Sequence, residues 1–453
     1  MFDTVIKGGT IVTASNVFKA DIGITGETIA GIGHNLHGHR KIDATGKLVT
    51  PGAVDIHVHM QMPLGGGVVS ADTFYTGTRA AAFGGTTTIV DFVDTKANET
   101  MLEALAKRRA EADPQVVIDY GLHMTIVPSD MSKLDQLPAV VEAGCGSFKL
   151  YMAYGFCLSD AQLYQALAAV HRVDGMSVVH AENWDLICHL QQVALAEGKV
   201  EPRWHPRTRP AEFEAEAASR VIDMAAYIGT PLHIFHVSCA EVVAQIKTAR
   251  AKGLPVTGET CPQYLFKNWD AFEAEGVAGA LPTCAPPIRE QAQQDALWAA
   301  LSAGDLQMVT TDHCPFNSAD KARGLGNFTQ IPGGVPSIEM RFPALYSKGV
   351  CEGHLSLSQW VDRCCTTPAR LLGLSKKGDV VIGHDADLVI FDPHQEKVLS
   401  AETLHENVDW TLYDGLTVEG WPTHVFSHGK LIIERDRCYA EAGSGRFLKI
   451  RPL

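Results

Sequence analysis

Thr87-Thr88-Ile89-Val90-Asp91-Phe92 is a short apolar run of the kind found in buried strands, and its surroundings decide the fold. A helical stretch over Met101–Ala112 follows it, and a second strand-like run over Val116–Tyr120 follows the helix. Alternating strands and helices predict a parallel sheet. The alternation continues from about residue 52 to 375, a length that suits a (β/α)8 barrel of about 250 residues or more. A doubly wound sheet is the alternative, but no glycine fingerprint for phosphate binding follows a strand.

Both ends of the chain have a different pattern. Val5–Val12 and Ala20–Ile32 alternate apolar residues with glycine corners, which is typical of β-hairpins. The same pattern returns over Asp387–Asp392 and Val425–Ile433. We therefore expect one small β-sandwich domain built from residues 1–51 and 376–453, with the barrel occupying 52–375.

Composition excludes several classes of protein. The chain has 453 residues, 46% of them hydrophobic and 20% charged, which is ordinary for a globular protein with a large core. The formal net charge of −14 argues against nucleic acid as a partner, since phosphate binding needs clustered Lys and Arg. No segment approaches the ~20 apolar residues of a membrane span.

The cysteines indicate a reducing environment. There are 11 of them, irregularly spaced and without a CxxC motif, so they do not resemble a disulfide framework. The first residues also show no signal-peptide pattern. We expect a cytoplasmic protein with reduced thiols.

The first chemical motif is Val54-Asp55-Ile56-His57-Val58-His59. Alternate side chains of a strand share one face, so His57 and His59 point the same way. Two imidazoles at the end of a strand can form half of a zinc site. Two polar residues on a solvated face are an equally good interpretation of this motif alone.

Three further polar residues end apolar runs: His180, His236 and Asp312. Each alone could be a buried side chain with ordinary hydrogen bonds. Their shared position matters, because the carboxyl ends of barrel strands converge on one mouth, where active sites of this fold lie. Four imidazoles and a carboxylate at that mouth would suit one or two transition metals.

Lys149 lies inside an apolar strand, where a charged amine is costly to bury. It must be paired, neutralised or chemically modified, and the residues alone favour a buried ion pair over a carbamate. With βα units of about 30 residues, the five positions fall on strands 1, 4, 5, 6 and 8 of a barrel.

This ordered set of motifs closely resembles the hydantoinase/dihydropyrimidinase family of the amidohydrolase superfamily, nearly from end to end. The matching segments are Pro51–His59, Ala82–Thr88, Phe148–Tyr154, His180–Asn183, His236–Ser238, Gly258–Leu265, Thr311–Phe316 and Gly445–Lys449. The HxH motif by itself is weak evidence, but the ordered set is specific.

The resemblance implies a barrel that holds two Zn2+, or other divalent metals, bridged by a carboxylated Lys149. His57, His59 and Asp312 would hold one ion, and His180 and His236 the other. A metal-activated hydroxide would attack a cyclic amide, with Asp312 moving the proton to the leaving ring nitrogen and Tyr154 donating a hydrogen bond to the oxyanion. The tail from Gly443 to Leu453 resembles segments used in subunit contacts, so a homotetramer is expected.

The substrate expected from the resemblance is a small cyclic amide, opened to an N-carbamoyl amino acid. Gln61 replaces the arginine that binds the substrate carboxylate in dihydroorotases, which argues against dihydroorotate. An apolar pocket suited to 5-substituted hydantoins is expected beside the metals, with Ala285 and Gly333 in segments that contact the amide ring. The apolar candidates are Met62, Leu64, Tyr151 and Phe156.

Three alternatives remain. Gly333-Gly334 replaces the family's usual Asn-Gly, and Ala285 replaces a serine, so an allantoinase or another cyclic ureide or imide hydrolase is the second enzyme hypothesis. A metal-free dihydropyrimidinase-like scaffold is the non-enzyme hypothesis, although every ligand position is filled here. Cys314 is a rival nucleophile that a complete metal set would make redundant.

Overall fold

The computed structural model describes residues 1–452, and nearly all of their strands belong to two sheets. In chain order the strands are β1 (Phe2–Val12), β2 (Val17–Thr25), β3 (Thr28–Gly33), β4 (Gly38–Asp43), β5 (Leu48–Pro51), β6 (Ala53–Asp55), β7 (Pro63–Gly65), β8 (Val68–Val69), β9 (Thr86–Val93), β10 (Asp119–Ile126), β11 (Ser147–Tyr151), β12 (Met176–His180), β13 (Leu232–Ile234), β14 (Val256–Thr260), β15 (Met308–Val309), β16 (Leu388–Val398), β17 (Thr417–Ser427), β18 (Lys430–Glu434) and β19 (Arg437–Cys438).

The α-helices lie between these strands. They are α1 (Phe74–Phe83), α2 (Met101–Ala112), α3 (Leu137–Glu142), α4 (Asp160–His171), α5 (Trp184–Ala196), α6 (Trp204–Arg207), α7 (Ala211–Ile228), α8 (Ala240–Ala251), α9 (Pro262–Phe266), α10 (Val277–Ala280), α11 (Gln291–Ala303), α12 (Ser318–Ala322), α13 (Arg341–Ala344), α14 (Leu357–Val361) and α15 (Thr367–Leu371). Side-chain capping begins several of them; Thr100 and Glu103, for example, form a capping box at the start of α2.

The central sheet has eight parallel strands in the order β6-β9-β10-β11-β12-β13-β14-β15. Every residue of β9 and β10 is buried, as expected where helices cover the outside of a parallel sheet and side chains fill its inside. The curled sheet brings its two ends together, since Val58 pairs with His313. The predicted (β/α)8 TIM-like fold is confirmed.

The other large sheet is mostly antiparallel and contains strands from both ends of the chain, in the order β3-β2-β1-β5-β16-β17-β18-β19, with β4 beside β1. The N-terminal and C-terminal halves join where β5 pairs with β16, with Leu388 opposite Pro51. The prediction that both termini complete one β unit is confirmed.

One local prediction differs from the structure. The strand expected at Val116–Tyr120 begins at Asp119 and runs on to Ile126, because its ladder continues through Gly121 and His123, two residues that interrupt the apolar run. Gly65 ends β7, and Gly66 and Gly67 form the turn of the β7–β8 hairpin, with φ values of 88°, 58° and 77° in that order. Such left-handed angles are open to glycine at little steric cost.

A buried ion cluster joins the two sheets. The ammonium of Lys377 lies 2.6 Å from Asp119 of the barrel, 2.6 Å from Asp387 of the antiparallel sheet and 2.9 Å from Asp385. His428 contacts Asp119 at 2.7 Å. A buried charge is tolerated when it is paired and hydrogen-bonded, so this cluster fixes the sheets against each other at the end of the barrel away from the ligands.

The tail contacts its own barrel. Phe447 pairs with Tyr120 and Ile450 with Cys145, both at the N-terminal ends of barrel strands. Among the helices of the part of the chain described here, none combines the length and the apolar character needed to cross a bilayer.

Candidate active site

The six predicted ligands lie on the strands that the spacing indicated. These are the first, fourth, fifth, sixth and eighth strands of the parallel sheet. Each ligand lies in its strand or a few residues after it, at the carboxyl end of the barrel. In order they are His57 and His59 after β6, Lys149 in β11, His180 at the end of β12, His236 after β13 and Asp312 after β15.

The structure brings these side chains together. Asp312 Oδ1 lies 3.0 Å from His57 Nε2 and 3.2 Å from His59 Nε2. The ring centres of His180 and His236 are 4.5 Å apart. Ligand atoms of His57, His236 and Asp312 all lie within 4.8 Å of one another, which is close enough for one metal ion to contact all three.

Two buried ring nitrogens support the interpretation that this cluster holds a metal ion. Nε2 of His57 and Nδ1 of His236 make no hydrogen bond with the described residues, although His57 Nε2 lies close to Asp312. Buried polar atoms are nearly always paired, so unpaired imidazole nitrogens beside a carboxylate indicate a missing partner that accepts lone pairs. A divalent metal ion is such a partner, and the donor set fits it.

Electrostatics keep Asp312 ionised. Burial alone would raise the pKa of its carboxyl, but His57 and His59 hold that pKa well below its ordinary value. The pKa of His236 is lowered by burial and by the nearby His180 and Lys149, so its imidazole is neutral. An ionised carboxylate and a neutral imidazole are the protonation states that metal binding needs.

Lys149 is only 1% exposed, and its amine lies 4.1 Å from the ring centre of Phe235 and 4.8 Å from that of Tyr151. It forms none of the ion pairs within residues 1–452, so the buried pair favoured by the residues alone is not found. Burial lowers the pKa of Lys149 to about 7, against a smaller opposing effect of Asp312 and Glu259. A large neutral fraction makes this amine nucleophilic, as reaction with CO2 to a carbamate requires.

Glu259 was missed as a site residue, because the sequence offered it only as part of a family motif. It lies in β14, wholly buried, with Oε1 2.6 Å from His57 Nδ1 and Oε2 3.1 Å from His233 Nε2. Burial opposes its ionisation, yet the two histidines lower its pKa to about 2. Glu259 therefore accepts the proton of His57 Nδ1 and leaves Nε2 free for a metal.

We expect Glu259→Gln to weaken metal binding by about 10- to 100-fold, because the amide cannot accept both imidazole protons with the same strength. Metal content during titration with a chelator measures the change. The exposed Glu241→Gln serves as the matched control and should retain the wild-type affinity. An unchanged chelator midpoint in Glu259→Gln would show that this carboxylate does not orient His57.

A second buried carboxylate, that of Glu182, contacts His180 at the end of the fifth barrel strand. Glu182 lies 2.8 Å from His180 Nε2 and accepts a 2.5 Å hydrogen bond from Arg209 Nη1. Burial alone would raise the pKa of Glu182, but Arg209 and His180 outweigh this effect and lower the pKa to about 2. The bond to Nε2 leaves Nδ1 of His180 as the nitrogen available to a metal.

A cavity of about 590 Å³ opens over the ligands. All six side chains or segments predicted for the substrate pocket line it, namely Met62, Leu64, Tyr151, Phe156, Ala285 and Gly333. Leu64 and Phe156 stand at the rim, 46% and 48% exposed. Trp184, His205 and Arg209 also line it and were not predicted, because they come from loops and helix ends whose position no periodicity reports.

Tyr154 lies beside the candidate metal ligands, with its ring centre 5.1 Å from that of His180. Burial raises the pKa of its phenol, so the hydroxyl keeps its proton and can donate it in a hydrogen bond. Its φ of 71° is left-handed, as are those of His236 (40°) and Asp312 (50°). A left-handed backbone costs conformational free energy in a non-glycine residue, and strain of this kind concentrates at functional sites.

Two other predictions concern the cavity walls. Gln61 turns away, its side-chain oxygen accepting from the Phe74 N–H at 3.4 Å, and does not line the cavity. Cys314 does line it, but burial raises the pKa of its thiol well above the ordinary value. A thiol held protonated is a poor nucleophile, which argues against the cysteine mechanism.

Comparison with known proteins agrees with this geometry. The model of the amidohydrolase family matches residues 48–432. The chain is 43% identical to the D-hydantoinase of Streptomyces coelicolor, covering 98% of this chain and 97% of that protein. It is 44% identical to the D-hydantoinase of Geobacillus stearothermophilus, covering 98% and 96%. The solved structure of the D-hydantoinase from a Bacillus sp. AR9 superposes with a TM-score of 0.97 at 44% identity, covering 100% of both chains.

Proposed function

The chain belongs to the amidohydrolase family and is a hydrolase of cyclic amides, and from this premise we propose that it opens 5-substituted hydantoins and dihydropyrimidines to N-carbamoyl amino acids. The observation that carries this proposal is the convergence of His57, His236 and Asp312 at the floor of a cavity with an apolar wall.

We assign the metal ligands as the sequence predicted them. His57, His59 and Asp312 would hold one divalent ion, His180 and His236 a second, and a carboxylated Lys149 would contact both; zinc is the ion that this imidazole-rich set suits best. Bound ions would supply the positive charge that polarises the carbonyl and lowers the pKa of water.

The protein's own residues complete the chemistry. Asp312, ionised and next to His57 and His59, accepts the proton of the attacking water and passes it to the ring nitrogen as the C–N bond breaks. Tyr154 donates a hydrogen bond to the carbonyl oxygen as negative charge develops there. His57, His180 and His236 are at most 2% exposed, and this low exposure to water strengthens both interactions.

The apolar part of the cavity favours a hydrophobic group at ring position 5. Met62, Leu64 and Phe156 lie on two loops beside the ligands, and Phe156 packs against Tyr151 with ring centres 5.1 Å apart. A benzyl or phenyl substituent would bury apolar surface there. Because relatives at 43% and 44% identity are named D-hydantoinases, we propose that the D enantiomer is preferred.

A substrate panel tests the proposal. Purified protein loaded with Zn2+ is given D- and L-benzylhydantoin, dihydrouracil and allantoin, each with and without a chelator. We expect the D-benzylhydantoin to give the highest kcat/KM and the chelator to abolish turnover. Faster opening of allantoin would favour the ureide hydrolase instead, and no metal-dependent turnover of any ring would contradict the proposal.

We further propose a homotetramer in a reducing compartment such as the cytoplasm. Exposed apolar side chains on α4, α5 and α7, including Tyr227 at 83% exposure, offer a surface for a second copy. The cysteines, all free, support reducing conditions. Light scattering coupled to gel filtration gives the subunit number.

A further inference from the structure

Lys321 is a second completely buried lysine, in α12. Its Nζ donates to two backbone carbonyls, that of Thr283 at 2.8 Å and that of Pro332 at 2.7 Å. It takes part in none of the ion pairs among residues 1–452. Burying a lysine whose polar partners are backbone carbonyls costs free energy, which suggests that the position of Lys321 has a functional role.

The two carbonyls belong to the two segments that form one wall of the cavity. Thr283 precedes Ala285 by two residues, and Pro332 precedes Gly333. The segments are also joined directly, because the Gly334 N–H donates to the same Thr283 oxygen at 2.9 Å. Lys321 thus bridges both segments from behind the wall.

The cavity side of this wall carries free backbone groups. Ala285 and Gly333 line the cavity, and their N–H and C=O groups make no hydrogen bond with any described residue. A cyclic amide presents an N–H donor beside a C=O acceptor, the same pair of groups in complementary arrangement. Recognition by backbone groups needs no particular side chain, which agrees with alanine and glycine at these two positions.

Backbone recognition depends on the spacing of the segments, and the neighbouring contacts hold that spacing tightly. His205 lies with Nε2 2.8 Å from the Cys284 carbonyl, which fixes the residue between Thr283 and Ala285. Gly334 has a φ of 145°, and a Cβ there would lie 2.2 Å from the Cys314 carbonyl oxygen. Lys321 is the one side-chain donor among these contacts that reaches both segments.

We propose that Lys321 is a positioning residue that holds the Thr283–Ala285 and Pro332–Gly334 segments at the separation required to bind the amide of the ring. This inference rests on the proposed function. It predicts that Lys321 acts on substrate affinity, through this wall of the cavity, and leaves metal binding unchanged.

The test is Lys321→Met, which keeps an unbranched side chain one atom shorter than lysine and removes the donor. We expect KM for the hydantoin to rise about tenfold, roughly the worth of one hydrogen-bonding group, while kcat falls less and metal content stays at the wild-type level. Lys348→Met, on an exposed lysine paired with Glu352, is the matched control and should keep both parameters.

A merely structural lysine gives a different result, since Lys321→Met would then lower the thermal midpoint and leave KM within twofold. That outcome overturns the proposal. If Lys321→Met does not fold, Lys321→Gln decides, because its shorter amide can serve one carbonyl only: a raised KM supports the positioning role, and a wild-type KM overturns it. Failure of the wild-type enzyme itself to open the ring would count against the proposed function and is seen before any variant is made.

Discussion

Lys149→Ala is expected to lose at least about a thousandfold in kcat/KM. Lys149 is the residue through which an anionic carbamate would contact both ions, and the Lewis-acid contribution of such a centre amounts to several kcal/mol, where each 1.36 kcal/mol is about tenfold. The side chain is buried against the rings of Phe235 and Tyr151, and no other lysine lines the cavity to replace it. Initial rates with D-benzylhydantoin, together with metal content, measure the loss.

Chemical rescue separates the carbamate from a simple packing role. Short carboxylic acids such as acetate or propionate would fit the space that Lys149 vacates and supply the missing carboxylate, so activity should partly return in proportion to their concentration. Ethylamine, which replaces the ammonium instead, is the matched control and should not rescue. Full activity of Lys149→Ala without additives would contradict the bridging role, and rescue by the amine would favour an unmodified lysine.

Asp312→Asn is expected to lower kcat by about 10²- to 10⁴-fold, the usual contribution of general acid–base catalysis. The substitution conserves shape and one oxygen, yet it removes the charge that His57 and His59 stabilise and the group that carries the proton. Because those histidines hold the pKa of Asp312 well below its ordinary value, the wild-type carboxylate is ionised at neutral pH and ready to act as the base. The loss should therefore be as large at pH 8 as at pH 7.

Metal binding must be followed alongside, because Asp312 is also a proposed ligand. If the Asn variant binds ions normally and still loses kcat, the loss belongs to proton transfer; if it binds fewer ions, restoring them with excess Zn2+ isolates the same step. Asp94→Asn removes another carboxylate that lines the cavity, an exposed one, and should remain active. Equal activity of Asp312→Asn and wild type would rule out this base.

The convergence of the candidate ligand side chains was predictable because barrel geometry is regular. The parallel strands of a barrel all end at one mouth, so a residue at the end of an apolar run is expected there. The residues in or directly after such runs are His57, Lys149, His180, His236 and Asp312. Strand alternation placed His57 and His59 on one face. The sequence also resembled a known family in the same segments.

The hydrogen-bond partners of these ligands were not predictable. Glu259 and Glu182 resemble any other acidic residue in the sequence, and only the fold places one against His57 and the other against His180. The buried ion pair that the residues alone favoured for Lys149 was wrong, because its amine packs against the rings of Phe235 and Tyr151. Contacts of this kind depend on distances between strands, which periodicity does not report.

By itself the amino-acid sequence determined the strand–helix alternation, the joining of both termini and the convergence of the candidate ligand side chains, because local apolar patterns and strand ends suffice for these. Tertiary structure alone decided the left-handed backbone at Tyr154, His236 and Asp312, and the burial of Lys321 behind the cavity wall. A strained φ or a lysine that serves two distant carbonyls is stable only when packing from many remote segments outweighs its local cost. This balance between remote packing and local cost arises only in the folded chain, so no short segment of the sequence can reveal it.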